Sequence, residues 1–364
     1  MKRYFLFSVT AALMLIWLAA TWSVSLAAVS GGVVGNGTPG SCSEAAFNAA
    51  LSGGGSLTFN CGAAPHTITI TTRKTITADT LIDGCNLITL SGSSGVFLVP
   101  TGKSLTLQNL TLSGAASSTG SLENRGRLTL QSVMVRDNAR GLNNVSGGVA
   151  IILGGLFVNN QPSGAILNQD STLTVTYATF IANNAYNGGA IGSENNSQLY
   201  IADSTFDGNS NGNSGGGGAI YSGDGAAANI VASRFISNGL GSYGGAIYNL
   251  GVMTVTRGEF QRNRSRNSGG GITNWGTLVV QDSAFVSNTV TNGSGGGLAH
   301  FNLTMDPQGL AVSSSVFYSN TSGRDGGGIS FRGGTNNWLN LTNATLSQNQ
   351  SSSAPGGGGL YLSG

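Results

Sequence analysis

The stretch Gly244-Gly245-Ala246-Ile247-Tyr248-Asn249, continued by Met253 and Val255 and closed by Phe260-Gln261-Arg262-Asn263, decides how this chain is read. Glycines come first, then an apolar residue, then a short alternating run, then a Phe with an Asn three places later. The same order recurs. The Phe column reads Val135, Phe157, Phe180, Phe206, Phe235, Phe260, Phe285, Phe317 and Leu346. Three residues after each stands an Asn, from Asn138 and Asn160 through Asn320 and Asn349. Five residues before each stands an aliphatic, from Leu130 and Ile152 through Val312 and Leu341. The interval is 22 to 32 residues, which marks a stacked-repeat fold.

Apolar residues alternate with period two inside each unit, so the unit is built of strands. A coil of this length has no room for a ten-residue helix, and propeller blades run longer, about 40 residues. The expectation is an all-β, right-handed parallel β-helix of about ten coils. Inward residues then stack as columns of like side chains, strands about 4.8 Å apart. The Asn column fits a turn, because Asn tolerates the left-handed conformation and stacked amides bond along the axis.

Charged residues are 8% of the 364 and the net charge is +2, against about 25% charged in ordinary domains. With 40% hydrophobic residues the chain is not a disordered one, and it has no electrostatic footprint for nucleic acid. Lys2 and Arg3, the apolar run Tyr4 to Ala20 and the small-residue site Ser25-Leu26-Ala27 read as a signal peptide over 1–27, or else as a retained anchor. Residues 28–40 are expected to be a flexible lead, 41–104 an amino-terminal helical cap with the first coils, and 105–364 the repeats. The cap helix is placed at Ser41 to Leu51, with Ala46, Phe47, Ala50 and Leu51 on one face. A disulfide between Cys42 and Cys61 would staple it to the first strand, leaving Cys85 as a buried thiol.

Gly-Gly-Ala-Ile at 188–191, 217–220 and 244–247, with Phe-x-x-Asn at 180, 206, 235, 260, 285 and 317, resembles the repeats of the polymorphic outer membrane proteins. Cys42, Leu57-Thr58-Phe59-Asn60-Cys61-Gly62 and Leu81-Ile82-Asp83-Gly84 are similar to the amino-terminal cap of surface proteins with a pectin-lyase-like right-handed β-helix. The resemblance implies an exported passenger at the cell surface or outer membrane, often adhesive, with glycans or a host or neighbouring cell surface as partners. After Leu362 neither a translocator barrel, a sorting signal nor a cap follows. The last coil is therefore expected to present an unpaired edge open to self-association.

The same architecture carries polysaccharide lyases and glycoside hydrolases, so an enzyme is the rival reading. A hydrolase needs two carboxyl groups roughly 5 to 9.5 Å apart. Asp203 and Asp282 hold matching places but three coils apart, about 14 Å along the axis. The other acids are scattered, and neither a metal site, a cofactor nor a catalytic residue is expected. Arg262, Arg264 and Arg266 alternate beside Arg257. They suit an anionic glycan or simply a solvated turn. His300 is expected in a polar turn. The segment after the glycine-led apolar residue is longer than usual from Leu298 to Leu310 and from Ile329 to Leu339. These adjacent enlarged loops carry His300, Phe301, Asp306, Arg332 and Trp338, the candidate ligand-binding residues.

Overall fold

The computed structural model describes residues 31–212, 214–302, 308–334, 336–353 and 356–363. The expected signal peptide lies outside them. The described chain winds as a right-handed parallel β-solenoid of about 12 turns. Each turn gives one strand to a 12-stranded parallel sheet and one or two to a 21-stranded sheet. A four-stranded ladder fills the turn between them in the later coils. The count exceeds the expected ten because Lys74–Thr75 and Phe97–Val99 already belong to the 12-stranded sheet. Those first coils lack the Phe and Asn that mark the later ones.

The Phe column pairs residue for residue, Phe180 with Phe206 and Phe206 with Phe235. The rings stack with centroids 4.5 to 4.8 Å apart from Phe157 to Phe317. All seven are fully buried. Such pairs add about 0.5–1.5 kcal/mol each beyond the area they bury.

Two left-handed residues bracket every Phe strand. Three before the Phe stand Tyr177, Asp203, Ala232, Arg257 and Asp282; two after it stand Ala182, Gly208, Ser237, Arg262 and Ser287. A single left-handed residue turns the chain sharply while keeping the strands in register. The left-handed place is thus one before the Asn, not the Asn itself as the sequence implies. The Asn turns inward and repairs what the corner breaks. Asn238 donates from Nδ2 to Asn263 Oδ1 (3.0 Å) and to the Phe206 carbonyl (2.9 Å). Its own Oδ1 accepts from the backbone N–H (2.9 Å) and Nδ2 (3.0 Å) of Asn209. The pattern repeats without a break from Asn138 to Asn349.

At the amino end, the helix spans Glu44–Leu51, with the Ser43 hydroxyl accepting from the Ala46 N–H (3.2 Å). Phe47 is buried against Phe59 and Phe97, at 6.1 Å from each ring. A disulfide joins Cys42 to Cys61 across a Cα–Cα distance of 5.6 Å. The lead is not loose from residue 31 onward. Val33–Val34 forms a strand on Gly55–Phe59, and Val34 is fully buried, supplying the first inward apolar residue. Cys85 also departs from expectation, since its thiol is exposed. Cys85 and Asn86 are both left-handed and sit in a bulge between Asp83 and Ile88 that throws the extra residues outward.

Replacing Asn238 with Ala strands the Asn209 N–H in the core, at about 1–3 kcal/mol, and removes the carboxamide bonds to the Phe206 carbonyl and Asn263 Oδ1, at about 0.5–1.5 kcal/mol each. The expected result is a loss of at least about 2 kcal/mol in urea denaturation. Asn349→Ala, at the half-buried end of the column, loses clearly less; equal losses would contradict a ladder whose members bridge three coils.

Candidate functional site

The outer face of the 12-stranded sheet carries the side chains that the core does not need. In Ile247–Asn249 the first and third residues point inward and Tyr248 points out. Tyr221 and Tyr248 are paired neighbours with rings 5.8 Å apart, and Tyr243 stacks on Tyr248 at 5.4 Å. Tyr248 lies over Gly216, where an added Cβ would fall 2.0 Å from the ring. Burial first, then its tyrosine neighbours, pushes the Tyr248 hydroxyl up to about 12.

A second outward column follows the inward Asn position. Trp275 and Phe301 stand on adjacent coils with rings 6.1 Å apart. Arg332 pairs with Phe301 on the coil before it and with Ser363 on the coil after. Its guanidinium lies 5.9 Å from the Phe301 ring and 5.6 Å from the Tyr361 ring. Asp325 and Ser294 hold it there. Trp275 is 39% exposed.

The enlarged segments begin as longer strands rather than loops. Leu298–Asn302 and Ile329–Gly333 pair over five residues, against three in Ile247–Asn249 and Ile272–Asn274. Phe301 and Arg332 are brought together by that extension. Trp338 opens the next strand of the large sheet, its ring covering Gly309. Asp306 lies outside the described residues. His300 is neither in a turn nor available to a ligand: it is fully buried in its strand. It takes the place of an Asn in a second inward column, Asn249–Asn274–His300–Phe331. Asn274 Nδ2 donates to His300 Nδ1 (2.7 Å), and the ring stacks on Phe331 at 4.8 Å. Nε2, which then carries the proton, has no hydrogen-bond partner among the described residues.

Asp203 and Asp282 are exposed left-handed corner residues on coils separated by those of Ala232 and Arg257. A closer set escaped the sequence reading. Glu194 ends one strand of the 12-stranded sheet, and Asp224 follows its neighbour Ile220–Ser222. Both bear on the same phenol: burial first, then Glu194 and Asp224, raises the Tyr221 hydroxyl. Their common offset of three or four residues past Ile191 and Ile220 was the available signal. Other carboxylates are tied into ion pairs at the amino end. Glu123 joins Arg73 (2.8 Å) and Arg125 (2.5 Å). The bond from Lys74 holds Glu44 down at about 2. Among the described residues no group of three His, Cys, Asp or Glu side chains is placed to hold a metal.

No family model matches the chain, and no curated protein matches it in sequence. Among solved structures it is similar to PfbA, a surface adhesin of Streptococcus pneumoniae, at 12% identity over 90% of this chain and 93% of that one, with a TM-score of 0.46. It is similar to tailspike protein 3 of bacteriophage CBA120 at 13% identity over 96% and 70%, TM-score 0.46. The catalytic domain of a GH87 α-1,3-glucanase, solved in complex with nigerose, follows at 12% over 83% and 64%, TM-score 0.44. Likenesses at this level carry no functional information.

Burial holds the His300 imidazole down at about 4, whereas the unfolded chain takes up that proton near 6.5. The stability from neutral burial is complete above pH 6.5 and is lost as pH falls toward 4, by up to about 3 kcal/mol. His300→Asn, which restores the amide of the neighbouring coils, should abolish this part of the pH dependence. Parallel stability curves for the two proteins from pH 7 to 4 would count against it.

Proposed function

We propose that the protein is an exported β-solenoid of the cell surface or extracellular space that holds glycans, as a structural, adhesive module without catalysis. The observation that carries this is the column of Trp275, Phe301 and Arg332 on successive coils, with Tyr361 of the following coil against the Arg332 guanidinium. Sugar rings present C–H faces that stack on aromatic rings, while their hydroxyl edges stay solvated. Asp325 neutralises Arg332, so the column fits uncharged sugars. Export is supported by the leader-like sequence at 1–27 and by the Cys42–Cys61 disulfide, a bond that persists in oxidising compartments. The likeness of the repeats to polymorphic outer membrane proteins, and with it an outer-membrane location and a cell-surface partner, belongs to this proposal.

The test is a glycan screen with neutral oligosaccharides. Trp275→Ala and Phe301→Ala should each weaken binding roughly tenfold, the worth of one stacked ring. Full binding by both folded variants would remove the site.

One observation favours the rival, a polysaccharide lyase or glycoside hydrolase: Glu194 and Asp224 stand at the ends of adjacent paired strands beside Tyr221. Depolymerisation of any glycan bound in the screen, abolished by Glu194→Gln or Asp224→Asn, would establish that reading in place of the first.

A further inference from the structure

Arg262, Arg264 and Arg266 are exposed and alternate with buried Asn263 and Ser265 along one coil. They precede the strand Ile272–Asn274, whereas Trp275 follows it. Arg264 and Arg266 leave the same side of the coil, and Arg262 stands at the left-handed corner just before them. The coils on either side clear space for them. Arg262 lies between Ser237 and Ser287 in the column of left-handed corners. Arg264 is bridged to Gly239 on one side and paired with Thr289 on the other. Arg266 bonds through its backbone to Gly241 and Asn292. Among the described residues, the positions paired with Arg262 and Arg264 on the flanking coils are Ser, Gly and Thr.

Arg262 and Arg264 are also without a carboxylate partner, unlike five other arginines of this chain. Arg73 and Arg125 share Glu123, Arg136 pairs with Asp137, Arg234 with Glu259, and Arg332 with Asp325. Among the described residues neither Arg262 nor Arg264 makes an ion pair.

Beside the row runs a groove of about 390 Å³ lined by Leu240, Arg264, Ser265, Arg266, Thr291 and Asn292. Leu240 is an independent oddity. Its φ of 119° is a conformation that suits glycine, and its side chain is 59% exposed at the groove. The Leu240 N–H holds the strained segment to the Arg264 carbonyl (3.1 Å). An apolar side chain so placed adds a dry surface next to two guanidinium groups and to the hydroxyl and amide of Thr291 and Asn292.

We propose that this groove binds an acidic polysaccharide lying along the coil, its carboxylate or sulfate groups on Arg262 and Arg264 and a sugar face on Leu240. Planar guanidinium groups match such oxyanions through paired, charge-assisted hydrogen bonds. A duplex nucleic acid is disfavoured, because a chain of net charge +2 offers one short row and no extended basic face. The site stands apart from the aromatic column and does not rest on it.

The experiment measures binding of the whole chain to oligogalacturonate, dextran sulfate, neutral dextran and duplex DNA at low and high salt. The acidic glycans should bind, and more weakly as salt rises. Arg262→Ala and Arg264→Ala should each weaken them roughly tenfold, and Phe301→Ala should leave them unchanged. Oligogalacturonate bound without dextran sulfate, or the reverse, assigns the oxyanion. The proposal is overturned if neither acidic glycan binds, if neutral dextran or DNA binds as tightly, or if both arginine variants, with unaltered circular dichroism, bind like the parent.

Discussion

Nine asparagine side chains, from Asn138 to Asn349, form one hydrogen-bonded column inside this protein, and the coil geometry depends on it. The left-handed residue before each Asn bends the chain abruptly. That bend takes the Asn N–H out of the strand ladder. Left alone, it would be a buried polar group without a partner, costing about 1–3 kcal/mol. One carboxamide meets that need and adds a bond to the ladder, because it accepts the N–H of the Asn on the coil before and donates to the Phe carbonyl of that coil. No aliphatic residue offers this. A coil cannot slip along its neighbours without breaking bonds on two sides, so the register from Phe157 to Phe317 is fixed by polar as well as apolar contacts.

That division of labour leaves the outer positions free. Inside, each place accepts few residue types. Outside, the same strand position carries Tyr221, Tyr248, Thr273 and Ala299 on successive coils. Function is accordingly sought in outward columns and at corners. There the chain departs from the neutral, short side chains that cover most of its surface: an aromatic run at one end of the sheet strands, an arginine row at the other.

The periodic part of the fold was legible because stacking in register imposes the same residue at the same place in every coil. Phe260 and Asn263 announce their neighbours, and the alternation of Met253 and Val255 announces the strand. What was illegible is what a column does not repeat. Nothing in the residues around His300 says that it replaces an Asn of the inner ladder, since the only cue is its offset from Leu298. Cys85 is apolar in type, yet two left-handed residues in a bulge carry it outward. The left-handed corners accept Tyr177, Ala232 and Arg257 as readily as Asp203, so no residue type marks them. Glu194 and Asp224 both act on Tyr221 because their adjacent coils are aligned to the residue. Counting acids along the chain scattered them.

The enlarged coils sharpen this point. Extra residues after Leu298 and Ile329 extend the two strands in register before they leave the sheet. Phe301 therefore meets Arg332 at the spacing of the solenoid itself, about 4.8 Å per coil. An elaboration that preserved no register would have produced a pocket with its own dimensions. This one lengthens a surface that already repeats, with Trp275 before it and Tyr361 after it. A surface that repeats at a fixed rise is complementary to a ligand that also repeats. A polymer of sugar rings meets that condition along the axis, where each ring can find another aromatic or guanidinium face. Across the axis the spacing is set instead by the strand period, and there the three arginines of one coil offer charges at every second residue. The two proposed sites would thus take different polymers, uncharged along the column and acidic along the coil, from one scaffold whose interior is indifferent to both.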